Sequence, residues 1–139
     1  MNISLKFDCR EYKDGVKREN RKMIPDGSKI SAFAIVDKEQ LPSAMPLHNT
    51  FCKAILDEDG AETGKYFLKF KINPESKYFV TQVASGKKIS FPKNDVLDGR
   101  RFICNVIFNV VEGKEGTKEP RGNYINVIQF IREDINIFG

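Results

Sequence analysis

Two runs near the C-terminus carry the strongest pattern of apolar and polar positions in the chain. Arg100 to Val111 reads R-R-F-I-C-N-V-I-F-N-V-V, and Tyr124 to Arg132 reads Y-I-N-V-I-Q-F-I-R. Both are rich in β-branched and aromatic residues. Between them lies E-G-K-E-G-T-K-E-P-R-G-N, from Glu112 to Asn123. Two β-type runs joined by a glycine- and charge-rich stretch predict a hairpin with a long polar finger. A sheet does not need such a finger, and long loops in compact domains are often functional.

The same reading continues upstream. Ile3, Leu5 and Phe7 alternate with Ser4 and Lys6, which predicts a strand with one wet face. Cys9 to Lys22 is densely charged and is expected to be irregular or two-stranded. Pro25-Asp26-Gly27 predicts a turn. Ser28 to Val36 then reads as a strand, with Ile30, Ala32, Ala34 and Val36 on one face and Phe33 and Ile35 on the other. Asp37 to Asn49 reads as a loop, with a helical turn at Lys38 to Leu41. Thr50 to Leu56 and Lys65 to Ile72 flank an acidic tip and predict one hairpin. Tyr78 to Val83 and Lys88 to Phe91 predict a second, shorter one. Lys93 to Gly99 reads as a connector, and no helix is predicted.

Seven or so strands with regular turn signals indicate a single all-β domain over residues 1–139. The expected architecture is an antiparallel barrel of the oligonucleotide/oligosaccharide-binding (OB) type with extended hairpin arms. A β-sandwich or jelly roll is the alternative.

Composition narrows the function. Lys plus Arg is 23 and Asp plus Glu is 19, a net charge of +4 that permits a polyanionic partner without requiring one. Basic residues concentrate at the two ends. Met1 to Ser31 holds eight against five acidic residues, and Gly86 to Arg121 again holds eight against five. The three cysteines, Cys9, Cys52 and Cys104, form no C-x-x-C pair and read as reduced thiols of a cytoplasmic protein. With one histidine, His48, no structural zinc site is expected, and no cofactor. The acidic tip Asp57-Glu58-Asp59-Gly60 begins like a calcium loop but lacks the closing ligands. No nucleophile motif, phosphate-binding loop or dinucleotide fingerprint occurs, so the chain reads as non-catalytic. No apolar run reaches membrane-spanning length, and none is expected to engage a membrane.

Cations interleaved with aromatics are the remaining chemistry. Single-stranded nucleic acid is held by cations that follow the phosphates and by rings that stack on bases. Three clusters combine both. In the first, Lys65, Lys69 and Lys71 share one strand face while Tyr66 and Phe70 point to the other. The second joins Lys77, Tyr78 and Phe79 to Lys87, Lys88, Phe91 and Lys93. The third joins Arg100, Arg101 and Phe102 to the finger's Lys114, Lys118 and Arg121, with Tyr124 at its base. The opposing reading is a half-buried sheet with rings in the core and lysines in water.

Leu97-Asp98-Gly99, the run Arg101 to Val111, the glycine-bearing arm Glu112 to Asn123 and the alternating run Tyr124 to Ile131 together resemble the ending of phage-type single-stranded DNA-binding proteins of OB fold. The resemblance implies a non-catalytic role on single-stranded DNA in replication or recombination of a phage or mobile element. Many such proteins end in an acidic tail with a terminal aromatic that docks replication partners. Glu133 to Phe138, E-D-I-N-I-F, is similar to a short version of that tail, although Ile135, Ile137 and Phe138 also read as a final strand. The expected nucleic-acid contacts are Lys69, Lys71, Lys87, Lys88, Lys93, Arg100, Arg101, Lys114, Lys118, Arg121 and Tyr124. A homodimer is left open. The alternatives are a structural or protein-interaction module such as a virion component, and an accessory domain or small inhibitor of an enzyme.

Overall fold

The computed structural model describes residues 1–12, 16–17, 23–24, 27–113 and 120–135. The strands are β1 (Asn2–Tyr12), β2 (Val16–Lys17), β3 (Met23–Ile24), β4 (Gly27–Asp37), β5 (Cys52–Leu56), β6 (Glu62–Ile72), β7 (Val80–Val83), β8 (Arg101–Val111) and β9 (Gly122–Glu133). One short helix, α1 (Asn94–Leu97), precedes β8, and a 3-10 turn spans Lys38–Gln40.

Alternation decides which side chains enter the core. Ile3, Leu5 and Phe7 of β1 point inward and are buried, as are Ile30, Ala32, Ala34 and Val36 of β4 and Tyr66, Leu68, Phe70 and Ile72 of β6. The residues between them face out, because successive side chains of a strand point to opposite sides. The inward and outward faces expected for β4 and β6 are the ones observed.

Five long strands close on themselves. Strand β1 pairs with β4 on one side and β8 on the other, β4 pairs with β6, and β8 pairs with β9, all antiparallel. The circle is completed by a short parallel seam, in which Phe70 and Lys71 of β6 face Asn123 and Tyr124 of β9. The circular order β1-β4-β6-β9-β8 is that of an OB barrel. The barrel is therefore not wholly antiparallel, and a jelly roll or sandwich is excluded. Asn123 clamps the seam: its Nδ2 donates to the carbonyls of Lys69 at 3.0 Å and Phe51 at 3.2 Å.

The interior is filled by rings and branched chains. Phe7 meets Phe102 edge-on at 5.9 Å and stacks with Phe130 at 5.8 Å, and Phe70 meets Phe108 at 5.0 Å. Leu97 of α1 is fully buried against this core. The connector expected at Lys93 to Gly99 thus contains a single helical turn, too short to show helical periodicity.

One expectation is extended and another corrected. The second hairpin forms but is short: Gln82 bridges Lys88, the Val83 N–H donates to the Lys87 carbonyl at 3.0 Å and the Ile89 N–H to the Thr81 carbonyl at 2.9 Å. On its other edge β7 pairs in parallel with β9. Phe91 lies beyond the hairpin and turns in against Phe79 at 5.5 Å and Phe130 at 6.3 Å. At the other end, Ile135 does not extend a final strand. It lies beyond β9 and is 73% exposed. Ile137 and Phe138 lie outside the described residues, as do Pro25 and Asp26 of the expected turn. Beyond Cys9, β1 continues to Tyr12, and β2 of the charged segment pairs with β3 just after it, the two-stranded of the two forms expected. Among the described residues no helix is long and apolar enough to cross a membrane.

Candidate nucleic-acid interface

The outer wall of β8, β1, β4 and β6 carries a row of side chains set by the strand registers. Arg101 lies opposite Lys6, Lys6 opposite Phe33, and Phe33 opposite Lys69. At the usual strand spacing this row spans about 14 Å. One step along the strands, Ile35 faces Phe67, and Phe67 faces Lys53 of β5. The Phe33 and Phe67 rings stack on each other at 5.5 Å and 26° and remain half-exposed. Lys69 Nζ sits 5.9 Å from the Phe33 ring centroid. Ile35 is 58% exposed. A depression of about 470 Å³ opens over this patch and is lined by Lys6, Asp8, Phe33, Ile35, Phe67 and Arg101, among others.

A second cluster lies farther along β6, where the finger joins the barrel. Asp8 faces Ser31, Ser31 faces Lys71, and Lys71 faces Tyr124. Lys71 Nζ lies 5.1 Å from the Phe51 ring and 5.6 Å from the Tyr124 ring, and donates to the Arg121 carbonyl at 2.9 Å. Gly122 makes this possible. A Cβ there would stand 3.1 Å from Lys71 Cδ, so only glycine leaves the lysine stem undisturbed. Phe67, Lys69 and Lys71 share one side of β6, so Lys71 follows Lys69 of the first row by two residues, about 7 Å along the strand.

The sequence-predicted residues separate accordingly. Lys69, Lys71, Arg101 and Tyr124 come together on this wall, and Arg121 sits exposed at the finger's base. Lys87 and Lys88 lie in the turn after β7, and Lys93 caps α1; none belongs to either row. Arg100 is exposed but lies outside the depression. Lys114 and Lys118 lie outside the described residues. Three of the expected aromatics are taken up by packing: Phe79 and Phe91 pack together, and Phe102 joins the core. Tyr78 is exposed, with Lys77 Nζ 5.0 Å from its ring.

Sequence reasoning missed Lys6, Phe33, Ile35, Phe51 and Phe67. The available signal was parity. Phe67 occupies the same outward parity as Lys65 and Lys69, where a half-buried sheet would place a polar residue.

Burial pushes the Cys104 thiol up to about 12, and it raises Cys52 as well. Burial, then the carboxylates of Asp98 and Asp8, push Cys9 to about 11. All three thiols are free and stay protonated at neutral pH. At the acidic tip, Asp57 Oδ1 accepts the backbone N–H groups of Asp59 and Ala61, each at 2.9 Å, which is turn chemistry. Among the described residues no group of three or more His, Cys, Asp or Glu side chains is placed to hold a metal ion. No known protein-family model and no curated protein sequence matches the chain, so its functional reading rests on this wall.

Proposed function

We propose that the protein is a non-catalytic single-stranded DNA-binding barrel, acting where replication or recombination exposes single strands. The observation that carries this reading is the stacked, half-exposed Phe33–Phe67 pair set among Lys6, Arg101, Lys53 and Lys69. In OB barrels the second and third barrel strands, here β4 and β6, form the oligonucleotide-binding surface. Aromatic rings on that surface give bases a stacking platform, and cations beside them replace the counterions of the phosphates. The finger between β8 and β9 occupies the position of the loop that flanks such a surface, and Lys71 ties its base to the wall.

Titration of a fluorescent oligo-dT at two or more salt concentrations tests the reading. Binding is expected to weaken with salt, each phosphate contact contributing about 0.7 to the slope of log K against log salt. Absence of binding at low salt would reject the proposal in favour of a protein-interaction module. In that case Ile35, Phe33 and Phe67 would be its apolar contact.

A further inference from the structure

We infer that the depression over Phe33 reads a nucleobase, and that Asp8 makes it favour guanine and disfavour thymine. The inference rests on the single-strand reading above and deepens it. Asp8, which has a protein partner of its own, places a carboxylate in the same depression as Lys6, Arg101, Phe33 and Phe67. The register explains how. Lys6 and Asp8 are two residues apart on β1 and project outward together. Lys6 stands directly opposite Phe33, and Asp8 opposite Ser31, diagonal to Phe33. Diagonal neighbours on one sheet face lie about 7–8 Å apart, within reach of aromatic and long side chains. A base lying on the Phe33 and Phe67 rings has its edge toward Asp8, while Arg101 and Lys6 take its phosphate.

A carboxylate only accepts hydrogen bonds, through about four lone-pair sites, so it can receive a base edge while it keeps a protein partner. Guanine presents two adjacent donors, N1–H and the N2 amino group, which match two carboxylate oxygens. Adenine and cytosine each offer one amino group beside a ring acceptor. Thymine offers a single N3–H flanked by two carbonyl oxygens that the carboxylate repels. Asp8 therefore ranks guanine first and thymine last.

Anisotropy titrations with three labelled oligonucleotides of one length test this: all-dT, dT with several central dG, and the same strand with deoxyinosine for dG. The guanine strand is expected to bind about fivefold or more tighter than all-dT, the low end for a bidentate contact to a base edge. Inosine lacks the N2 amino group and should lose most of that gain. Asp8→Asn, which offers a donor as well as an acceptor, should abolish the preference and leave binding of all-dT equal or improved. Equal binding of all three strands by the parent would overturn the inference while leaving the single-strand reading intact. Retention of the guanine preference by a folded Asp8→Asn would overturn it too. Failure to bind any strand would instead remove the reading beneath it. The inosine strand keeps the test decisive if the variant does not fold.

Discussion

At the scale of single residues, the wall separates two kinds of contact that experiments can tell apart. Phe67 offers a ring and no charge. Phe67→Ala should weaken oligo-dT binding by about 1–3 kcal/mol without changing the salt slope, because stacking is insensitive to counterions. Lys69→Ala should reduce the slope by about 0.7. If both variants change only the slope, or neither changes binding, these residues do not form the contact surface. The cysteines make a different prediction. Unfolded thiols titrate near 8.5, while burial holds Cys9 near 11 and Cys104 near 12. Between those values the folded state binds more protons than the unfolded state, so stability falls as pH rises from about 8.5 toward 11. Denaturant melts from pH 8 to 10.5 should show this slope, and a Cys9→Ala, Cys104→Ala variant should show less of it. Native thiols should also react slowly with a disulfide reagent at pH 8 and quickly in urea. Residue parity was legible from the chain: Lys65, Lys69 and Lys71 were expected opposite Tyr66 and Phe70. The role of Phe33 and Phe67 was not. Alternation says which residues share a face, whereas only the closed topology says which face of β4 and β6 is left uncovered.

At the scale of elements, the finger and β6 act together through Lys71. Its ammonium holds the Arg121 carbonyl and lies near the Tyr124 and Phe51 rings, and its stem crosses Gly122. Gly122→Ala should push that stem aside. Its effect on binding should therefore not add to that of Lys71→Ala. Residues that share one contact couple in a double-mutant cycle, whereas independent sites add within about 0.5 kcal/mol. Fully additive losses would show that glycine acts elsewhere. Replacing Lys114, Lys118 and Arg121 together by alanine tests the finger itself. It should flatten the salt slope by up to about 2 units. A triple variant that binds like its parent would remove the finger from the interface. The two runs that flank the finger, β8 and β9, were the most legible elements of the chain, because glycine and charge interrupt two strong β patterns. The local half of β7's pairing was legible, because its turn signal does close a short hairpin. Its parallel pairing with β9 was not, because a partner that is distant along the chain leaves no local signal.

At the scale of the whole molecule, closure of the barrel depends on its least extensive pairing. Strands β8 and β9 are joined over most of their length, but β6 and β9 meet through only Phe70–Asn123 and Lys71–Tyr124. Asn123 compensates. It is 1% exposed, and its amide bridges the Lys69 carbonyl of β6 and the Phe51 carbonyl that leads into β5. Its own Oδ1 is buried with no partner among the described residues. Asn123→Ala leaves two carbonyls without their side-chain donor, at a cost of about 1–3 kcal/mol, partly offset by removal of that unpartnered oxygen. A melting temperature lower by roughly 3–8 °C is expected for a chain of this size. The seam should also loosen before the rest of the barrel. Hydrogen exchange at Phe70, Lys71 and Tyr124 should quicken in the variant more than exchange along β1 and β4, since proteins open locally where few contacts hold an element. Because Lys69 and Phe51 belong to the binding wall or adjoin it, the same substitution should weaken oligo-dT binding although Asn123 faces inward. A variant that melts like its parent, or that exchanges uniformly faster, would show that the barrel is held closed by its five strands as a whole and that Asn123 is not its clasp.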